Sequence, residues 1–299
     1  MEIFALVAAF GGGLFGAAIG ALPAFIFTGF VVIAGQIAVM AGVDAGGLAV
    51  GHLAFGSLFG PHIGFAGGVA AAAYAANSGK KLLGSGTDIA TALFGLDDYM
   101  PLIIGGIFGI LGYLINFVYA GVLGLPTDTV AMTVVTSCII ARFAFGKTGL
   151  TGKFEGANRE WFPSGTALVK SVLIGVGMGT IVGGIAASLA FAGEIGALVA
   201  FPVVMFGISA ASLILAQTGF AAPATHQITL PASLFAVGAY FAFGDPMAAM
   251  VVGIVAAVVA SLWADVMGRV FNSHCDTFID PPAMTIFPLT FLQIMIFPF

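Results

Sequence analysis

Apolar residues fill runs of about 20 positions that recur along the whole chain, and short polar stretches separate these runs. A run of this length matches a helix that crosses the hydrocarbon core of a bilayer. The pattern predicts an all-α polytopic membrane protein with about ten transmembrane segments. The predicted segments cover residues 3–22, 24–42, 48–77, 99–122, 129–146, 171–191, 195–215, 218–244, 247–268 and 283–299.

Proline and glycine interrupt two of these segments. Gly60, Pro61 and His62 fall inside the third segment, and the stretch 222–226, with its own proline and histidine, falls inside the eighth. A break of this kind frees backbone polar groups, which lipid cannot satisfy. We therefore expect broken or re-entrant helices that pack on protein or line a cavity.

The composition excludes a soluble protein. The 299 residues are 60% hydrophobic and 7% charged, whereas soluble domains carry about 25% charged residues. Only eight lysines and arginines are present, so the chain has no electrostatic footprint for nucleic acid. We expect an integral protein of a prokaryotic plasma (inner) membrane, with the lipid bilayer as its partner. The 44 glycines offer close-packing helix surfaces, which are compatible with a homo-oligomer.

The most polar stretch of the chain, residues 147–170, separates a first membrane repeat (1–146) from a second (171–299). Basic residues favour the cytoplasmic side of a membrane, which places this connector in the cytoplasm together with Lys80 and Lys81. Each half then contains five segments. Because five is odd, the two halves are predicted to be inverted relative to each other, as in many secondary transporters.

A short polar motif occurs once in each half. Asp128 and Thr129 precede an Ala-Met-Thr sequence, and Asp276 and Thr277 precede the same three residues with four extra positions between. Carboxylate and hydroxyl groups in a membrane are costly unless they have partners or a function. Both pairs are therefore candidates to coordinate Na⁺ or to carry H⁺ beside a broken helix. The alternative is that each aspartate only caps a helix N-terminus, which leaves the repeated Ala-Met-Thr unexplained.

The two helix breaks carry the next candidate residues. His62 and His226 each lie at a proline-containing break, and Thr225 and Gln227 flank only the second. A histidine there can donate to a polar or anionic solute or relay a proton near neutral pH. The alternative is a histidine that is bonded to a neighbouring helix carbonyl. The unequal flanks predict a solute that sits asymmetrically between the two halves.

Two further groups of polar residues have simpler interpretations. The stretch 274–280 contains His274, Cys275 and two aspartates, but no spacing typical of a metal centre, so we expect a polar turn without a metal. Asp265 lies four residues before Arg269 on a predicted helix, which favours an ion pair between them.

These features predict a permease of the secondary-transporter type that moves a small polar or anionic solute. Its coupling ion would be Na⁺ or H⁺, and no other cofactor is expected. The alternatives are a channel or facilitator of the same architecture, or a membrane subunit of a multiprotein complex. An enzyme is not expected, because the chain offers few nucleophile–base pairs and has no HExxH or GxSxG motif. The chain also has no GxxxxGK[ST] motif, so we do not expect it to hydrolyse ATP.

Overall fold

The computed structural model describes residues 3–299. Within this range the chain forms helices and no strand, apart from an isolated bridge between Gly86 and Thr277. The α-helices are α1 (Ile3–Ile19), α2 (Ala21–Met40), α3 (Ala45–Leu48), α4 (Ala66–Asn77), α5 (Met100–Asn116), α6 (Thr129–Phe145), α7 (Gly165–Ala192), α8 (Ile195–Ala211), α9 (Ile214–Gln217), α10 (His226–Phe243), α11 (Pro246–Phe271) and α12 (Ala283–Ile296). Wider π-helical turns follow α3 (Ala49–Ala54), precede α4 (Pro61–Phe65) and follow α5 (Phe117–Val122), and a 3₁₀ turn covers Leu93–Gly95.

The prediction of long apolar helices is confirmed. In the described part of the chain, five helical stretches are long and apolar enough to cross a membrane: Ala21–Met40, Met100–Val122, Gly165–Ala192, Ile195–Gln217 and Pro246–Phe271. Other apolar helices, such as α1, α6 and α12, are shorter. Large apolar side chains face outward, and Phe4 and Phe191 are 79% and 87% exposed. Such an outer surface suits lipid and would be unusual in water.

Helices in the two halves pack in matching pairs. In the first half α1 packs on α5, α4 packs on α1, α5 and α6, and α2 contacts α1. In the second half α7 packs on α11, α10 packs on α7, α11 and α12, and α8 contacts α7. The halves join where α2 meets α8 and where α6 meets α12. Each junction therefore pairs two helices that have equivalent packing partners within their own halves.

Glycines allow α2 and α8 to cross closely at one of these junctions. A Cβ on Gly29 would lie 2.5 Å from the Ala211 nitrogen, and a Cβ on Gly207 would lie 2.8 Å from a side-chain carbon of Val32. Small residues of this kind permit the van der Waals contact that holds helices together in lipid.

The helix break predicted in the third segment is present: residues 55–60 separate the turn after α3 from the turn that begins at Pro61. In the eighth segment, residues 218–225 are not helical and α10 begins at His226, so the predicted break precedes the helix instead of interrupting it. Thr28 on α2 donates its hydroxyl hydrogen to the Phe59 carbonyl at 2.7 Å, so a neighbouring helix satisfies one of the freed oxygens.

The polar connector lies against the end of α11. Arg159 donates to the backbone oxygens of Arg269 and Val270 at 2.8 and 2.9 Å. Arg269 in turn pairs with Glu160 at 2.6 Å and with Asp265 at 2.7 Å, which confirms the predicted ion pair within α11. The helix α7 begins at Gly165, so the last residues of the predicted connector are helical.

Candidate functional site

Two adjoining cavities lie between the helices. The larger has a volume of about 480 Å³ and the smaller about 260 Å³. Four residues line both cavities: Phe25, Phe65, His226 and Asp280. These four residues, hereafter the partition, form the wall between the two spaces.

The partition is assembled from both halves of the chain. Phe25 comes from α2 and Phe65 from the turn before α4, whereas His226 begins α10 and Asp280 precedes α12. The Phe25 ring centroid lies 5.7 Å from that of Phe65 and 4.7 Å from that of His226. All three rings are buried. The partition is thus a packed aromatic layer with one carboxylate beside it.

The two carboxylates at the cavities are Asp128 and Asp280. Asp128 lines the smaller cavity and accepts a hydrogen bond from the Ala131 N–H at 2.8 Å. Asp280 lines both and accepts from the Ala283 N–H at 2.9 Å. In each case the donor lies three residues later, in the first turn of α6 or α12. Each carboxylate therefore sits at a helix N-terminus, where the helix dipole stabilises negative charge.

This geometry corrects the correspondence predicted between the halves. Asp128 and Asp280 each begin an Asp-x-x-Ala-Met-Thr sequence without a gap, and their backbone oxygens accept from Met132 and Met284 at 3.0 and 3.1 Å. Asp276, the predicted counterpart, lies four positions too early. The shared Asp-Thr dipeptide suggested that pairing, whereas the capping geometry depends on the spacing between aspartate and alanine.

Asp276 and Thr277 have a different role from the predicted ion site. Asp276 accepts from the Lys147 N–H at 2.7 Å and from the Thr148 hydroxyl at 2.8 Å. Thr277 is fully buried and accepts from Arg142. Neither residue lines the two cavities. Asp276 holds the connector against the turn that precedes α12, and Thr277 joins that turn to Arg142 of α6.

Arg142 is the principal residue of that junction, although the sequence alone assigned it no site role. It is 1% exposed and donates to the Thr277 hydroxyl at 2.7 Å. It also donates to the backbone oxygens of Leu150 and Phe271, both at 2.6 Å. A lone arginine inside an apolar helix was the available signal, because such a charge must find partners within the protein.

The other predicted residues divide between cavity and core. His226 and Gln227 line the larger cavity. His62 and Thr225 are buried but lie outside both cavity walls, and so does Thr129, the first residue of α6. The structure therefore brings together only part of the predicted set.

Two buried polar atoms at the larger cavity have no hydrogen-bond partner within residues 3–299. They are Nδ1 of His226 and Oε1 of Gln227. The amide nitrogen of Gln227 donates to the Ala224 carbonyl at 2.9 Å, which leaves its oxygen free to accept. His62 also has an unpartnered Nδ1, but its ring turns back toward Gly60. Buried atoms of this kind are normally satisfied, so those at a cavity mark a place for a ligand or water.

The ionisable side chains that line the two cavities are aspartates and a histidine. No lysine or arginine is among the residues that line either space. Asp265 also borders the larger cavity, where it accepts from Ser171 at 2.7 Å, but Arg269 already neutralises it. The acidic side chains in the two cavities that have no basic partner are therefore Asp128 and Asp280.

Comparison with known proteins gives one match. The chain belongs to a family of unknown function (DUF7973), whose model matches residues 1–163 and again residues 157–297. No curated protein and no solved structure matches the chain.

Proposed function

We propose that the protein is a permease that moves a small polar solute across a membrane through the two cavities. The observation that carries this proposal is the partition, where Asp280 and His226 border both spaces. Two spaces that share a binding residue but are separated by packed rings fit a transporter, because such a residue can face each side in turn.

The proposed architecture is ten crossings in two inverted repeats. Three observations support the repeat: the family model matches the chain twice, helices pack in matching pairs, and α6 and α12 begin with the same motif. If α3 and α4 form one broken crossing, and α10 with the non-helical residues 218–225 before it forms its counterpart, each half crosses five times. An odd number inverts the second half.

This topology assigns each cavity to one side of the membrane. The connector and the loop 78–99 would lie together in the cytoplasm, where their lysines favour them. The larger cavity is lined by Ile89 from that loop and by Ser171 near the start of α7, so it would open to the cytoplasm. The smaller cavity is lined by Val130 at the start of α6, which would lie on the opposite side, and by Leu234 in the middle of α10.

The carboxylates are the proposed coupling groups. A charge buried in an apolar site is costly unless it is protonated or paired. Asp128 and Asp280 have no fixed cation beside them in the cavities, so H⁺ or Na⁺ would bind there and balance them. The same charge disfavours an anionic solute, and we propose an uncharged or cationic one instead.

Reconstitution into liposomes tests the proposal. Wild-type protein should show solute-dependent H⁺ or Na⁺ movement when a panel of amides, polyols, amino acids and amines is added outside. Asp280→Asn should abolish this movement, because asparagine can still cap α12 but cannot carry the charge.

Asp245→Asn is the matched control. Asp245 caps α11 by accepting from the Met247 N–H at 2.9 Å, but it lies outside both cavities. This variant should transport like wild type. Wild-type rates in folded Asp280→Asn, or no flux of any solute in folded wild type, would refute the permease. Conductance that does not saturate would instead identify a channel.

A further inference from the structure

We infer that the larger cavity binds a small organic cation, with Asp280 as its counter-ion and aromatic rings as its wall. The inference rests on the proposed function and names the class of solute. It derives from the charge, the unpartnered atoms and the shape of this cavity.

The acidic lining of the cavity favours a cationic ligand. Asp280 accepts one hydrogen bond through Oδ2, from the Ala283 N–H, and its carboxylate also borders the cavity. Asp265, the other lining carboxylate, is already paired with Arg269. A half-buried carboxylate without a paired charge is disfavoured, so a ligand with positive charge is stabilised there.

The unpartnered atoms favour a ligand that donates hydrogen bonds. Oε1 of Gln227 can only accept, and it is buried at the cavity wall. Nδ1 of His226 is also buried without a partner, and in a neutral ring it accepts when the other nitrogen holds the proton. An ammonium group supplies three donors, the kind of group that such acceptors and a carboxylate can bind.

The shape of the cavity favours an organic cation over a bare metal ion. Its volume of about 480 Å³ falls in the range of small-molecule pockets. Phe25, Phe65 and Phe278 line it, and the Phe65 and Phe278 centroids are 6.4 Å apart. Aromatic faces attract organic cations, whereas a hard metal ion needs a shell of several oxygens.

Three probes of one shape but different charge test the inference. Benzylammonium, benzyl alcohol and benzoate would be titrated into purified protein by calorimetry, with thermal unfolding as a second measurement. We expect saturable binding of benzylammonium and a rise in the unfolding temperature. The alcohol should bind at least about tenfold more weakly, because it lacks the charge. Benzoate should not bind.

Three variants locate the site. Asp280→Asn should weaken benzylammonium binding by about tenfold or more. Gln227→Met removes the unpartnered acceptor without changing the charge, so it should weaken binding by about threefold or more. Asp245→Asn should bind like wild type. Equal binding of all three probes, equal affinity in folded Asp280→Asn, or stabilisation by Na⁺ alone would overturn the inference.

These experiments distinguish a failure of the proposed cation site from a failure of the proposed permease function. If benzylammonium binds in an Asp280-dependent way but no solute is transported, the cation site stands and the permease does not. If a neutral solute is transported and benzylammonium does not bind, the permease stands and the cation site does not.

Discussion

Replacing Arg142 by methionine should strongly destabilise the protein. Methionine has a similar length and no charge, so the substitution removes hydrogen bonds while it leaves most of the packing intact. Six acceptors lose this donor, and the four with the shortest contacts are the backbone oxygens of Leu150, Phe271 and Thr277 and the hydroxyl of Thr277. They belong to the connector, the end of α11 and the turn before α12, so the loss affects three segments together.

The magnitude follows from these bonds. A hydrogen bond from a charged donor contributes about 1.5–3 kcal/mol, and an unsatisfied buried acceptor costs about 1–3 kcal/mol. The four contributions are not additive, because water can reach the connector side once the guanidinium is gone. We therefore expect a loss of roughly 3–5 kcal/mol in the free energy of unfolding, as for a broken buried polar network.

Reversible unfolding in detergent micelles, followed by circular dichroism, measures this loss. Arg142→Lys keeps the charge but has three donors in place of five, so its loss should be intermediate. Lys153→Met removes a positive charge from an exposed position of the same connector and should change stability by less than about 0.5 kcal/mol. A loss below about 1 kcal/mol for Arg142→Met would refute the structural role of this residue.

Three further predictions concern packing, the partition and pH. Gly29→Val should lower stability by about 2–3 kcal/mol in the same unfolding assay, because its side chain would meet the α8 backbone; Gly177→Ala, which faces open space, should leave stability unchanged or raise it by up to about 1 kcal/mol. Phe25→Ala should join the two cavities and raise passive solute leak through proteoliposomes, and an unchanged leak would show that its ring does not separate them. The hydrogen bond that Lys80 donates to Asp98 at 2.8 Å lowers the pKa of that carboxyl. This ion pair therefore stabilises the protein above the pKa of an unpaired carboxyl, and the contribution is lost as the pH falls through the lowered pKa. Asp98→Asn should remove this part of the pH dependence of unfolding below about pH 5.

The sequence predicted the helix break at Pro61 because its cause is local. Pro61 has no backbone N–H to continue a helix, and glycine beside it weakens the helix further. The same local chemistry predicted the ion pair of Asp265 and Arg269, since residues four apart lie on one face of a helix. Both features depend only on residues close together along the chain.

The partners of buried groups could not be predicted in the same way. Arg142 bonds to backbone oxygens of distant segments. Because every residue has a backbone oxygen, the sequence does not show which of them will accept. His62 and His226 occupy similar breaks, but only His226 lines the cavities. The rotation of each helix about its axis decides this difference, and the spacing along the chain does not define that rotation.

The position of Asp280 couples ligand charge to helix packing. The Ala283 N–H and the dipole of α12 stabilise the ionised carboxylate, while the apolar cavity opposes it. A cation that enters the cavity removes the opposing term, so it favours the arrangement in which α12 presents Asp280 to that space. α12 packs on α6, and Asp128 holds the same position at the start of α6 that Asp280 holds at the start of α12. A shift of one helix therefore changes the surroundings of the carboxylate at the start of the other. The duplicated motif thus provides a direct physical connection between the charges of the two cavities, which a protein with a single capped helix would lack.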